Sequence, residues 1–410
     1  MPDAFLSTDV LIAGGGMAGL TLGCLLGGTG LSVLIAEPKT PPQTVAPGTR
    51  TVALFGGSIN ILKAAGIWDE IAQHSARMET MRIIDDTGSA PVTLSFDASE
   101  IGEECFGYNI PHHGLYPALL SRAKALKTVT LLTGSGVQDY QIENGHSLAT
   151  LTNGQTIRAA LIAGADGRHS RVREVAGLPC RLHDYGQRAM TAVIAHTKPH
   201  DHISTEFHRP GGPFALVPLP DDKDNHCSSV VWVEREIDAK SLLSLDPKDF
   251  ERALQERTND ILGAIRLLQG PDSWPLQWSV ARKLTAPRVA ILAESAHTFT
   301  PLGAQGLNLS LRDVATLAET LVDAAKTGAD IGSALVLGRY ERRRRLDVLT
   351  RVGGVNAFNR LVSNDMAATR LMRRMGMKTL DHLPPLKRFA MQRGLISAPD
   401  EGRLAKGSML

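Results

Sequence analysis

The stretch Val10-Leu11-Ile12-Ala13-Gly14-Gly15-Gly16-Met17-Ala18-Gly19 decides the fold. Four consecutive apolar residues read as a strand buried on both faces of a parallel sheet, and they stop at glycines. Gly14 permits a tight turn, Gly16 lets the backbone approach a pyrophosphate, and Gly19 lets the following helix pack close to the strand. A Leu- and Gly-rich helix from Met17 to about Gly28 and a second strand from Leu31 to Ala36 complete a βαβ unit. Glu37 ends that second strand about twenty residues on, where a carboxylate can bind both hydroxyls of an adenosine ribose. The unit alone fits FAD and NAD equally.

Two later segments belong with it. Ala165-Asp166-Gly167-Arg168 follows a candidate strand at Leu161 to Ala163. Ala293-Glu294-Ser295-Ala296-His297-Thr298-Phe299-Thr300-Pro301-Leu302-Gly303-Ala304-Gln305-Gly306-Leu307-Asn308 reads as a strand end carrying a carboxylate, a Pro/Gly-rich loop, and a helix starting at about Gly306. Such a turn aims backbone N–H groups and a positive helix end at an anionic ligand. In this order, roughly 150 and 130 residues apart, the three segments describe one dinucleotide pocket. Gly134-Ser135-Gly136 lacks the third glycine and reads as a strand turn, so the chain carries one complete dinucleotide fingerprint.

The chain has 410 residues, enough for two or three domains, with 43% hydrophobic and 21% charged residues, an ordinary globular composition. A formal net charge of +2 gives no electrostatic case for nucleic acid. Cys24, Cys105, Cys180 and Cys227 lie far apart, which suggests reduced thiols in a cytoplasmic protein rather than zinc or disulfides. None of the 13 histidines has metal-ligand spacing, and no metal is expected. The N-terminus lacks a basic region followed by an apolar signal stretch, and no window approaches the ~20 apolar residues of a membrane span.

Elsewhere, Arg50 precedes the apolar run Thr51 to Leu54 after a Pro/Gly-rich loop, and Leu115 to Leu126 has helical spacing. From about Tyr185 to Val280 a period-two alternation with Pro/Gly turns indicates a mostly antiparallel sheet, a good wall for a substrate cavity. After the third segment the chain turns helical. Between Arg339 and Arg393 there are fourteen Arg and Lys against four Asp and Glu, leaving the rest of the chain acidic by about eight charges. Interleaved apolar residues, among them Leu371, Met372, Met375 and Phe389, make this region amphipathic. It reads as a solvated basic face packed on the body, with docking to an anionic membrane surface as the sharper alternative.

At these residues the chain resembles the class A FAD-dependent aromatic hydroxylases, and within them a bacterial branch of the ubiquinone-biosynthesis hydroxylase family. The resemblance runs from about Asp9 to Leu395. It rests on residues 14–19, Arg50-Thr51-Val52-Ala53-Leu54, Gly164-Ala165-Asp166-Gly167-Arg168, and Gly303-Ala304-Gln305-Gly306-Leu307-Asn308-Leu309-Ser310-Leu311-Arg312-Asp313. It implies an α/β fold: a Rossmann-like FAD-binding domain formed by residues 1–75, 101–184 and 281–345, an inserted mostly antiparallel substrate domain at 76–100 and 185–280, and a basic helical region at 346–410.

For the site, the resemblance implies FAD held by Gly14, Gly16, Met17, Ala18, Gly19, Glu37, Arg50, Asp166, Glu294, Gly306, Leu307 and Asn308, with Pro301, Gly303 and Gln305 beside the isoalloxazine ring. NADPH or NADH acts as transient reductant, and Asp166 belongs to the motif serving both nucleotides. The implied reaction is ring hydroxylation by O₂ through a flavin C4a-hydroperoxide on a hydrophobic, polyprenylated phenol. Rival readings are a hydroxylase of a small soluble aromatic and a non-catalytic scaffold of a quinone-biosynthesis complex. The expected location is the cytoplasm, with the inner membrane face as candidate docking surface.

The chain departs from the family pattern in several places. Ala293-Glu294 stands where Gly-Asp is common, Gly303-Ala304 where Ala-Gly is, and Gly107-Tyr108-Asn109-Ile110-Pro111-His112 where a Glu-Asn pair is frequent. His297 reads as a structural side chain that fixes the motif loop, and no acid or base is assigned.

Overall fold

A computed structural model of the chain describes residues 6–42, 47–222, 225–299, 302–364, 366–392 and 402–410. Its first sheet is built on β1 (Leu6–Ala13), flanked by β2 (Val33–Glu37) and β11 (Thr156–Gly164). Outside these lie β8 (Val129–Thr133) and β18 (Val289–Ile291), all parallel. Antiparallel β9 (Val137–Glu143), β10 (His146–Leu151) and β17 (Thr285–Ala286) extend it. Ala13 pairs with Ala36 on one side and Gly164 on the other, and Gly164 pairs with Ile291. The chain therefore leaves four neighbouring strands at one edge, and each exit opens a segment singled out above. Open parallel sheets bind ligands at this carboxyl edge.

Val10, Leu11 and Ile12 are fully buried, so helices must cover both faces. On α1 (Met17–Gly27), which packs against α4 (His112–Ala125) and α8 (Gln305–Lys326), nine residues are buried. A Cβ at Gly19 would lie 2.0 Å from the Gly14 carbonyl oxygen, so this helix sits closer to the strand than any side chain allows.

The second sheet runs β19 (His297–Thr298), β16 (Ile265–Ala281), β12 (Cys180–His196), β15 (Asn225–Arg235), β14 (Phe214–Asp222), β13 (Ile203–His208), β5 (Thr80–Asp85), β6 (Val92–Asp97), antiparallel except where β5 meets β13. A three-stranded sheet of β3 (Thr51–Phe55), β7 (Gly107–Pro111) and β4 (Ala76–Met78) joins the two halves. Small helices α2 (Gly56–Ala64), α3 (Trp68–Ala72) and α5 (Arg171–Val175) sit on the first half.

The alternation between 185 and 280 hid two helices, α6 (Glu236–Leu243) and α7 (Pro247–Arg257). Their signal was Asp246-Pro247: the Asp246 carboxylate accepts the backbone N–H of Lys248 at 2.9 Å and of Asp249 at 3.0 Å, and proline at the first helical position lacks only an N–H that would have been unpaired. Phe250 and Leu254 of α7 pack with Phe207, Phe214 and Trp232, covering one face of the second sheet.

The C-terminal part forms α9 (Ala334–Ser363), α10 (Ala367–His382) and α11 (Pro384–Met391). Arg373, 6% exposed, ties them down: its Nε donates to the fully buried Asp85 carboxylate of β5 at 2.6 Å, and its Nη1 donates to the carbonyls of Leu361 and Val362 at the end of α9.

Candidate functional site

At the β1–α1 turn Gly14 holds φ +102°, and a Cβ there would strike the Ala165 oxygen at 2.4 Å. The Ala165 N–H donates to the Ala13 carbonyl at 2.8 Å, so the first two sequence motifs touch. Gly16 is different: a Cβ there meets nothing within 4 Å. No side chain caps α1 among the described residues, so the N–H groups of its first turn, from Met17 and Ala18 onward, face the open space beside Gly16. An uncapped helix end beside unfilled space suits a pyrophosphate. Glu37 closes the turn from above, its Oε2 accepting the Gly15 N–H at 2.6 Å.

Asp166 is held by protein donors. One oxygen accepts the hydroxyls of Ser170 and Ser295, and the other accepts the Val172 N–H at 3.1 Å. Ser295 also accepts the Gly167 N–H at 3.1 Å, which stitches the second motif to the third. Glu294 stands exposed on a short 3-10 turn at Ala293–Ser295. It lines a cleft of about 290 Å³ with Arg168, Arg173, Trp274 and Phe299. The Arg50 guanidinium stacks over the ring of Trp274, a residue of that cleft, at 5.0 Å.

Gly303, Gln305, Gly306 and Leu307 line a larger cavity of about 680 Å³. Its remaining wall is mostly apolar and comes from β3, the open face of the second sheet, α9 and α11, with Val52, Val217, Val231, Phe358 and Met391 among the contributors. Asn109, at the departure from the family pattern, also lines it and donates to the Pro218 carbonyl at 2.9 Å. The side chain of Asn308 is buried and engaged by the protein: it accepts from the Phe55 N–H and the Ser58 hydroxyl and donates to the Ala53 and Ala304 carbonyls. Only its backbone remains for a ligand. Pro301, named with these residues, lies outside the described residues.

The sequence reading passed over the charged cluster that shapes the third motif. Asp313 is fully buried; its Oδ2 accepts the Ala293 N–H at 2.9 Å and pairs with His297 Nε2 at 2.6 Å, and its Oδ1 accepts from Arg344 Nε at 2.7 Å. Arg344 bonds Asp347, Asp347 bonds Arg351, and Arg351 Nη1 donates to Gln305 Oε1 at 3.0 Å. This polar chain starts where the motif loop begins and returns to where it ends. His297 is thus tied into the loop's framework, the structural job read from the sequence.

Burial alone would push the Asp313 carboxyl up, but His297 and Arg344 beside it hold it down at about 2. An unfolded aspartate titrates near ~4, so this contribution to stability is complete above that pH and lost as pH falls toward ~2. Denaturant titrations stepped through that window should show wild type losing stability on acidification more steeply than Asp313→Asn. Equal slopes would count against the network.

The FAD binding domain family model matches residues 7–352. The chain is 36% identical over 404 residues to the ubiquinone hydroxylase UbiL of Rhodospirillum rubrum, covering 97% of this chain and 92% of that protein. It is 31% identical to the 3-demethoxyubiquinol 3-hydroxylase of Escherichia coli, covering 95% of this chain and 98% of that one. Among solved structures, p-nitrophenol 4-monooxygenase PnpA of Pseudomonas putida superposes with TM-score 0.77 at 20% identity, over 94% of this chain and 97% of that chain. The chain therefore belongs to the FAD-binding-domain family, in the class A hydroxylase branch that includes the ubiquinone hydroxylases.

Proposed function

We propose that the protein is an FAD-dependent, NAD(P)H-consuming monooxygenase that hydroxylates the ring of a polyprenylated phenol in ubiquinone biosynthesis. The observation that carries this reading is the apolar cavity of about 680 Å³ whose wall includes Gly303 to Leu307, the loop that opens α8. Bound FAD, once reduced, supplies the activated oxygen from O₂. The chain supplies position, charge and dryness. Gly16 and the first turn of α1 would take the pyrophosphate, and Glu37 the adenosine ribose.

The N-terminus of α8 would stabilise negative charge on the reduced ring. This 22-residue helix has Ala304 at its cap in a left-handed conformation and no capping side chain among the described residues. The apolar wall would exclude water and accept a hydrophobic phenol with the start of its tail.

The C-terminal helices support contact with an anionic membrane surface. Leu371, Met372 and Met375 on α10 are 59–62% exposed, interleaved with Arg370 and Lys378. Among the described residues no helix is long and apolar enough to cross a membrane.

Anaerobic reduction of the purified holoprotein by NADPH, with and without a short-chain prenylphenol, tests the catalytic reading. Bleaching of a bound-flavin spectrum should accelerate with the phenol, and aerobic turnover should yield the hydroxylated ring. A bound flavin indifferent to the prenylphenol but responsive to a small soluble aromatic would move the substrate class. Failure to take up FAD would sink the enzyme. Flotation with anionic vesicles at low salt, lost at high salt, is the expected membrane result. No retention at low salt would remove that partner.

A further inference from the structure

On β13 the residues at 204, 206 and 208 project to one face of the sheet. Ser204 and Glu206 line the large cavity, beside Met81 and Ile83 of β5 and Val217 and Ala215 of β14, their register partners. Glu206 is the one carboxylate among the cavity's described lining residues. Its Oε1 lies 3.0 Å from His208 Nε2, the nitrogen that faces it. His208 is 2% exposed and packs edge-on against Phe358 of α9, with ring centroids 5.6 Å apart. Its Nδ1 is buried without a hydrogen-bond partner. The neutral tautomer with hydrogen on Nε2 leaves a bare lone pair there instead of an orphaned N–H.

The other charges around the pair are committed elsewhere. Arg351 of α9, on the cavity wall, bonds Asp347 and Gln305. Arg82, which also lines the cavity, spends its Nε and Nη2 on the Thr205 hydroxyl. Asp85, the register partner of His208, is held by Arg373 and Arg374 of α10. A carboxylate in a mostly apolar cavity whose two lining arginines, Arg82 and Arg351, bond other groups is costly, and a donor brought by the ligand offsets that cost.

We propose that Glu206 is the catalytic base of this site, accepting the proton of the substrate's ring hydroxyl, and that His208 is its positioning residue. This rests on the hydroxylase reading above. The phenolic O–H donates to the Glu206 carboxylate in the ground state. As the ring carbon forms its bond to the incoming oxygen, the O–O bond that carried that oxygen breaks and its electron pair leaves with the other oxygen, while the ring hydroxyl becomes that of a protonated carbonyl and turns strongly acidic. Its O–H bond then breaks, the electron pair stays on oxygen, and the proton bonds to Glu206, which later releases it to water. The His208 Nε2–H keeps the carboxylate oriented until that moment.

Two measurements on the FAD-loaded, full-length protein test this. The first needs no turnover: a prenylphenol and its methyl ether are titrated against the bound-flavin spectrum. Wild type should prefer the phenol by about tenfold, since the ether cannot donate. Glu206→Gln, of the same size, should erase that preference with flavin content unchanged. H208M should weaken the preference without touching flavin content. A wild type indifferent between the two ligands would overturn the proposal even if the phenol proved not to be the substrate.

The second measurement is the pH profile of ring hydroxylation. E206Q should lose about 100-fold at neutral pH and recover as rising pH ionises the phenol in solution. A variant at wild-type rate with a wild-type profile would rule Glu206 out as base. Wild-type preference for the phenol without prenylphenol turnover would instead count against the choice of substrate and leave the base standing.

Discussion

Gly16→Val should give a folded protein that has lost FAD. The side chain would point into space where no protein atom lies within 4 Å, so neither strand nor helix has to shift. What it would occupy is the approach to the uncapped N-terminus of α1, where a pyrophosphate would make its backbone hydrogen bonds. Affinity should fall by at least about 100-fold, the equivalent of ~2.7 kcal/mol, read by flavin fluorescence titration of apoprotein. Far-UV circular dichroism and the apoprotein melting curve should match wild type. Gly14 and Gly19 cannot serve, because a Cβ at either would collide with backbone at 2.4 or 2.0 Å and damage the fold itself. If G16V bound FAD within threefold of wild type, the cofactor would have to pass elsewhere.

Asp313→Ala should be among the most destabilising single substitutions in the chain. It would remove the acceptor of Arg344 Nε, leaving that 4%-exposed guanidinium with Asp347, and would leave the Ala293 N–H and His297 Nε2 without their acceptor. Removing one partner of a buried pair costs about 3–5 kcal/mol, well above the ~1 kcal/mol of an ordinary substitution. Denaturant unfolding measures it, and Arg344→Met should cost a similar amount. Because both changes break the same pair, the double variant should cost far less than the sum. The holoprotein should also release FAD more readily, since Ala293 sits at φ +54° and the Asp313 carboxylate is the side-chain acceptor that holds its N–H. A loss under ~1 kcal/mol would mean that water or a neighbour replaces the missing carboxylate.

These two residues also mark what the sequence could and could not say. The Gly14 turn was legible because its physics is local: four glycines, one strand and one helix start lie within ten residues. Its meeting with Ala165 was inferable from strand order, because parallel strands deliver their ends to one edge. Asp313 was visible only as the last residue of a motif, because its partners lie 20 residues upstream and 31 downstream on other elements. Asn308 was read as facing the ligand, whereas its side chain joins β3 to α8 across about 250 residues. The helices α6 and α7 were lost inside a region whose average alternation suited strands. The large cavity draws its wall from segments scattered between Thr51 and Met391, so no local pattern could have outlined it.

The polar chain from Ala293 through Asp313, Arg344, Asp347 and Arg351 back to Gln305 has a thermodynamic consequence. It fastens the loop beside the proposed flavin to α9, whose Thr350, Gly354 and Phe358 roof the large cavity. A phenol that settles under α9 and FAD that settles against the loop therefore act on one connected body. Whatever factor the phenol applies to FAD affinity, FAD must apply to phenol affinity, because the two routes to the ternary complex close a cycle. Cutting the connection at Asp347, which does not line the cavity, should bring that shared factor toward one while leaving each ligand its own contacts. Cofactor retention in this protein would then rise and fall with the supply of substrate.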